Sequence, residues 1–139
     1  MATSVPTTDD ASDATMRLRG LPGLDVDAGL AFVGNSADVY LRLLKRFAQL
    51  HEGDVLRMIE QAERAERLPL QKLAHSIKGG AATLGASGLA QVARQLEEAC
   101  PSAPPSRLVA LARALEAEHA ALCRHLVRAC GDLAAAHRP

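Results

Sequence analysis

A histidine and a lysine three residues apart, His75 and Lys78, stand among three glycines in the stretch LAHSIKGGAATLGA, residues 73–86. An imidazole is a nucleophile near neutral pH. A cation at i+3 on a helix lies within its reach and can neutralise an oxyanion attached to the ring. On a wheel of about 100° per residue His75 lies about 160° from Leu73 and Ile77, so it points away from the apolar stripe. Its predicted neighbours on the outer face are Gln71, Lys78, Gly79, Ala82 and Ala86, three of them Gly or Ala. Exposed helix surface normally favours long polar side chains. Bare backbone around one imidazole instead lets another macromolecule approach closely. The pattern predicts a histidine that carries a phosphoryl group, on a face built for docking.

A second helix is expected to supply a carboxylate. If residues before and after Ala86 form an antiparallel helical hairpin, His75 and Glu97, each eleven residues from it, lie level. Glu97 could then accept a hydrogen bond from Nδ1–H, which fixes the tautomer and leaves Nε2 unprotonated as the nucleophile. By the same count Arg94 lies level with Lys78 and adds positive potential for an acidic partner.

The elements that must hold these groups read as helices. Residues 1–20, rich in Thr, Ser, Asp and Ala, are expected to be a disordered leader, and residues 134–139 a flexible tail. Between them one domain, 21–133, is predicted to be an all-α, antiparallel four-helix bundle with a short extra N-terminal helix. The short helix covers about 25–33. Ser36 caps a long helix reaching Leu68, with Gly53 as a candidate bend. The His75 helix runs from about Pro69 to Gly85, the Glu97 helix from about Ser87 to Ala99, and the last from about Ser106 to Cys130.

Composition removes other classes. With 139 residues, 48% of them apolar and mostly Ala and Leu, and with Phe32, Phe47 and Tyr40 as the aromatics, helices on helices are favoured over a β-sandwich. Zero net charge argues against a non-specific nucleic-acid binder. No apolar run approaches the ~18 residues of a membrane span, and no secretory signal pattern opens the chain. Cys100, Cys123 and Cys130 form no CxxC pair and are expected to be buried thiols of a cytoplasmic protein rather than metal ligands. His51 and His119 border apolar stripes, whereas His125 and His137 look exposed. No nucleotide-binding loop, Ser-His-Asp set or metal-ligand set is present, so no enzyme activity and no metal are expected.

The segment AHSIKGGAATLGA resembles the signature of histidine phosphotransfer (HPt) domains, roughly AHxLKGxAxxLG, through Ala74, His75, Ile77, Lys78, Gly79, Ala81, Leu84 and Gly85. PGLDVDAGLAFVGNSADVYLRLLKRFAQLH upstream and LAQVARQLEEA downstream are similar to the flanking helices of that family, so the resemblance spans about 21–100. It departs at Ile77, where Leu is commoner, and at AERLPLQ, where many members have a Gly-Asp turn. The resemblance implies a monomeric helical bundle that relays phosphoryl groups between aspartates of receiver domains in hybrid kinases and response regulators. His75 would be the acceptor, Lys78 the stabilising cation, Gly79 the residue that clears the approach, and Glu97 the hydrogen-bond partner. It would need no cofactor of its own, with Mg²⁺ supplied by the receiver. An HPt-like adaptor that binds receivers without accepting phosphate is the alternative. The Met1 start is expected to mark a standalone protein.

Overall fold

A computed structural model of the chain describes residues 8–133. Among the described residues it is all helix: α1 (Thr8–Leu18), α2 (Val26–Phe32), α3 (Ala37–Leu50), α4 (Glu52–Glu63), α5 (Arg67–Thr83), α6 (Ser87–Ala99) and α7 (Pro105–Cys130). The last four close a ring, α4 on α5, α5 on α6, α6 on α7 and α7 back on α4, while α3 continues α4 and packs on α7. The core is mostly aliphatic around the buried Tyr40. Leu44, Met58, Leu70, Ile77, Leu96, Leu108, Leu115 and Leu126 are fully buried, each at its helix's 3.6-residue repeat.

Seven helices replace the expected four plus one. The predicted long helix is two, because His51 ends α3 and begins α4. The apolar stripe runs on across that break, so periodicity alone could not see it. The expected leader is also corrected. Residues 8–18 form α1, which buries Ala11, Ala14, Thr15 and Leu18 against α3 and α7, with Arg17 Nη1 donating to the Ala129 carbonyl at 2.9 Å. The residues before it and the expected tail at 134–139 lie outside the described part.

Two helices start on side-chain caps. Asp25 accepts from the Ala28 amide to start α2, and Ser36 from the Val39 amide to start α3. α4 stops where Ala65 adopts φ +53°, its amide and that of Glu66 closing on the Ala62 and Gln61 carbonyls. This is a left-handed helix stop that glycine normally fills. It is the place where AERLPLQ departs from the family pattern. Pro69, in the first turn of α5, lacks only an amide that has no helical partner there. Ala65→Gly is expected to stabilise the fold by about 0.5–1 kcal/mol, the left-handed strain relieved less the added entropy of the unfolded chain. Thermal or urea denaturation reads this, and an unchanged or lower stability would show that Ala65 is not strained.

The turn between α5 and α6 sets the level of one helix against the other. Gly85 has φ +78°, and a Cβ there would lie 2.1 Å from the Asp25 carbonyl oxygen. The Gly85 carbonyl accepts from the Asp25 amide at 2.7 Å. From the other side the buried Tyr40 hydroxyl donates to the Leu84 carbonyl at 3.0 Å. Burial first, and the Asp25 charge second, push the Tyr40 phenol up to about 12, so it remains a donor throughout the physiological range. The turn is thus held by α2, its N-cap and α3.

Candidate functional site

α5 buries Leu70, Ala74, Ile77 and Ala81 and so turns His75 outward. The imidazole side chain is 68% exposed. From α6, Glu97 reaches across the hairpin. Its Oε2 lies 2.7 Å from His75 Nδ1 and its Oε1 2.7 Å from Lys78 Nζ. One carboxylate therefore bridges the histidine and the lysine. An ionised carboxylate only accepts, so Nδ1 carries the proton and donates. In the neutral ring Nε2 then has a free lone pair on the exposed side.

Glu97 is itself held. Its side chain is only 20% exposed, and Gln71 Nε2 donates to its backbone carbonyl at 3.4 Å. The Lys78 hydrogen bond first, with that of His75 added, holds its carboxyl below the usual glutamate range against the opposing effect of burial. A carboxyl lowered in this way keeps its ionic contacts above its ordinary range and loses them only as pH falls through the lowered value. The bridge is therefore complete at neutral pH.

The glycines divide their roles. A Cβ on Gly79 would meet nothing within 4 Å, whereas one on Gly80 would sit 2.7 Å from the Phe47 ring. Gly80 lets α3 close on α5, and Gly79 leaves the outer face bare. Gln71 is half-buried, and Gly79 and Ala82 are exposed beside His75. Ala86 is not among them. It is 2% exposed, because α5 ends at Thr83 and the Gly85 turn carries the chain inward, where a wheel extended past the helix end no longer applies. Arg94 is exposed, its Nε 4.0 Å from Glu98 Oε2 on its own helix. The sequence reading placed Lys78 toward a phosphoryl group and did not foresee its contact with Glu97, which depends on how two side chains meet across the hairpin.

The remaining histidines and cysteines are structural or peripheral. His51 is buried, its ring edge-on to Phe47, with Nδ1 donating to Asp54 at 2.9 Å. His119 is buried and donates from Nε2 to the Ala48 carbonyl at 2.7 Å. His125, expected to be exposed, is half-buried, and His137 lies outside the described residues. The three cysteines are free, Cys100 buried and the other two half-buried, and burial pushes each thiol up. Among the described residues no three metal-ligating side chains cluster, and no helix is long and apolar enough to cross a membrane.

The Hpt domain family model matches residues 42–136. The chain belongs to the Hpt domain family. Members are phosphocarrier modules of two-component phosphorelays that pass phosphoryl groups through histidine and work with receiver domains. Neither the search of curated proteins nor that of solved structures returned a match. The matched span contains α4 to α7 and most of α3, and begins after α1 and α2.

Proposed function

We propose that this chain accepts a phosphoryl group on His75 Nε2 from the aspartyl phosphate of one receiver domain and passes it to the aspartate of another. The observation that carries the reading is the 2.7 Å contact of Nδ1 with Glu97 on an otherwise exposed ring. In the forward step Nε2 attacks phosphorus in line, the N–P bond forms, and the bond to the aspartyl oxygen breaks, releasing the carboxylate. The ring becomes a phosphorylated imidazolium whose proton stays on Nδ1, and Glu97 offsets that positive charge. Lys78 offsets negative charge on the transferred group. Gln71, Gly79, Ala82 and Arg94 border the face on which the receiver sits. Mg²⁺ belongs to the receiver, because both Glu97 oxygens are already engaged by His75 and Lys78. Transfer is reversible, so its direction follows the phosphorylation state of the partners. The chain acts as a monomer in the cytoplasm, without kinase or phosphatase activity.

The test is His75→Gln incubated with a phosphorylated receiver. Wild type should take up acid-labile, base-stable phosphate and the variant none. Equal uptake by the variant would remove His75 from the reaction, and no uptake by either would favour an adaptor.

A further inference from the structure

Six large apolar side chains are markedly exposed among the described residues: Met16, Phe32, Leu50, Leu56, Leu68 and Val127. Leu68 is the one on α5. It stands seven residues before His75, which is two turns, about 10.5 Å along the axis and within about 20° of the same direction. Scattered surface leucines need no explanation, but this one lies on α5 itself, on the side that carries His75. A partner of standard size covers ~800 Å² of its target, a disc of about 16 Å radius. A receiver centred on His75 with that footprint covers Leu68.

The rest of the face makes the leucine informative. Toward the C-terminal end of α5 it offers Gly79 and Ala82, which permit close approach but supply little apolar area. Toward the N-terminal end it offers Gln71 and the exposed Lys72, and then Leu68 at 63% exposure. The centres of interfaces are apolar and depleted of charge, and apolar burial scales with area, so Leu68 can contribute more than either Gly79 or Ala82.

Resting on the phosphotransfer reading above, we propose that Leu68 is the apolar anchor of the docking face and a determinant of which receivers this chain serves. Its occupant is a receiver domain presenting an apolar residue beside its phosphorylated aspartate pocket. Leu68 touches neither the phosphoryl group nor His75, so it acts on docking and not on the chemical step.

The experiment compares wild type, Leu68→Ala, Leu68→Glu and Val127→Glu. The donor is the prephosphorylated receiver, from the source organism's set, that transfers fastest to wild type. Each protein is also labelled with phosphoramidate, which phosphorylates histidine without docking. Leu68→Glu should lower kcat/KM from the receiver by about tenfold or more, with the loss in KM, and Leu68→Ala by less. Phosphoramidate labelling of His75 should be unchanged in both, and Val127→Glu, an exposed valine of α7 across the ring from α5, should behave as wild type. Receiver transfer to Leu68→Glu at the wild-type rate overturns the anchor and leaves phosphotransfer standing. Equal losses in Leu68→Glu and Val127→Glu also overturn it, because the effect is then general charge. Wild type labelled by phosphoramidate but by no receiver would overturn the phosphotransfer reading itself, and the anchor with it.

Discussion

Gly79→Arg is expected to cut transfer from a phosphorylated receiver by roughly 100-fold or more while leaving the fold intact. Reacting atoms must come within about 3–3.5 Å, and displacement by a single ångström can cost about 100-fold. An arginine projecting from the turn beside His75 holds the receiver's backbone off by several times that distance. The isolated chain has no objection to the side chain, because a Cβ at Gly79 meets nothing within 4 Å. Replacing a helix-interior glycine should even stabilise α5 by up to about 1 kcal/mol. The two readouts therefore move in opposite directions. Stopped-flow or gel-based transfer rates should collapse while the thermal midpoint stays level or rises. Transfer at the wild-type rate would mean that no partner approaches over Gly79.

Gly85→Ala should do the reverse and damage the fold itself. The left-handed backbone costs an alanine about 1–2 kcal/mol. The new Cβ would also lie 2.1 Å from the Asp25 carbonyl oxygen and 3.1 Å from the Gly29 amide nitrogen. Relief requires the turn to move away from α2, which opens the 2.7 Å bond between the Asp25 amide and the Gly85 carbonyl. A buried polar group left unpaired costs about 1–3 kcal/mol. The sum is about 3 kcal/mol or more, a fall of about 10 °C in Tm for a domain of this size. Because this turn sets α6 level with α5, the His75–Glu97 contact should loosen in whatever folded fraction remains. A Tm within 2–3 °C of wild type would show that the turn tolerates a side chain and that its packing against α2 has been overvalued.

What could be read from the sequence follows from where the signal is local. The bounds of α6, the Ser36 cap and the outward face of His75 each rest on spacing or on one residue type, and each is found in the structure. The level of Glu97 with His75 was legible because a short hairpin constrains counting on both sides of its turn. α1 was not legible. Three of its four buried residues are Ala11, Ala14 and Thr15, so its apolar stripe is weak, and it is held by a surface of α3 and α7 that only tertiary structure assembles. The break at His51 hid within a continuous stripe. Ala86 misled because the wheel was carried past the end of the helix. Leu68 was read as the end of the long helix, although it lies inside α5 on the His75 face. Lys78 was placed correctly on that face, but its partnership with Glu97 depends on side-chain packing between helices.

The central claim is that His75 carries the phosphoryl group on Nε2 with its proton held at Nδ1 by Glu97. Long-range ¹H–¹⁵N correlations on the ¹⁵N-labelled chain, recorded at neutral pH after phosphorylation by a receiver, read both nitrogens at once. The account predicts one phosphorylated ring, His75, with Nε2 coupled to phosphorus and Nδ1 bearing the proton. Phosphorus on Nδ1 of His75, or on any other residue, would contradict it.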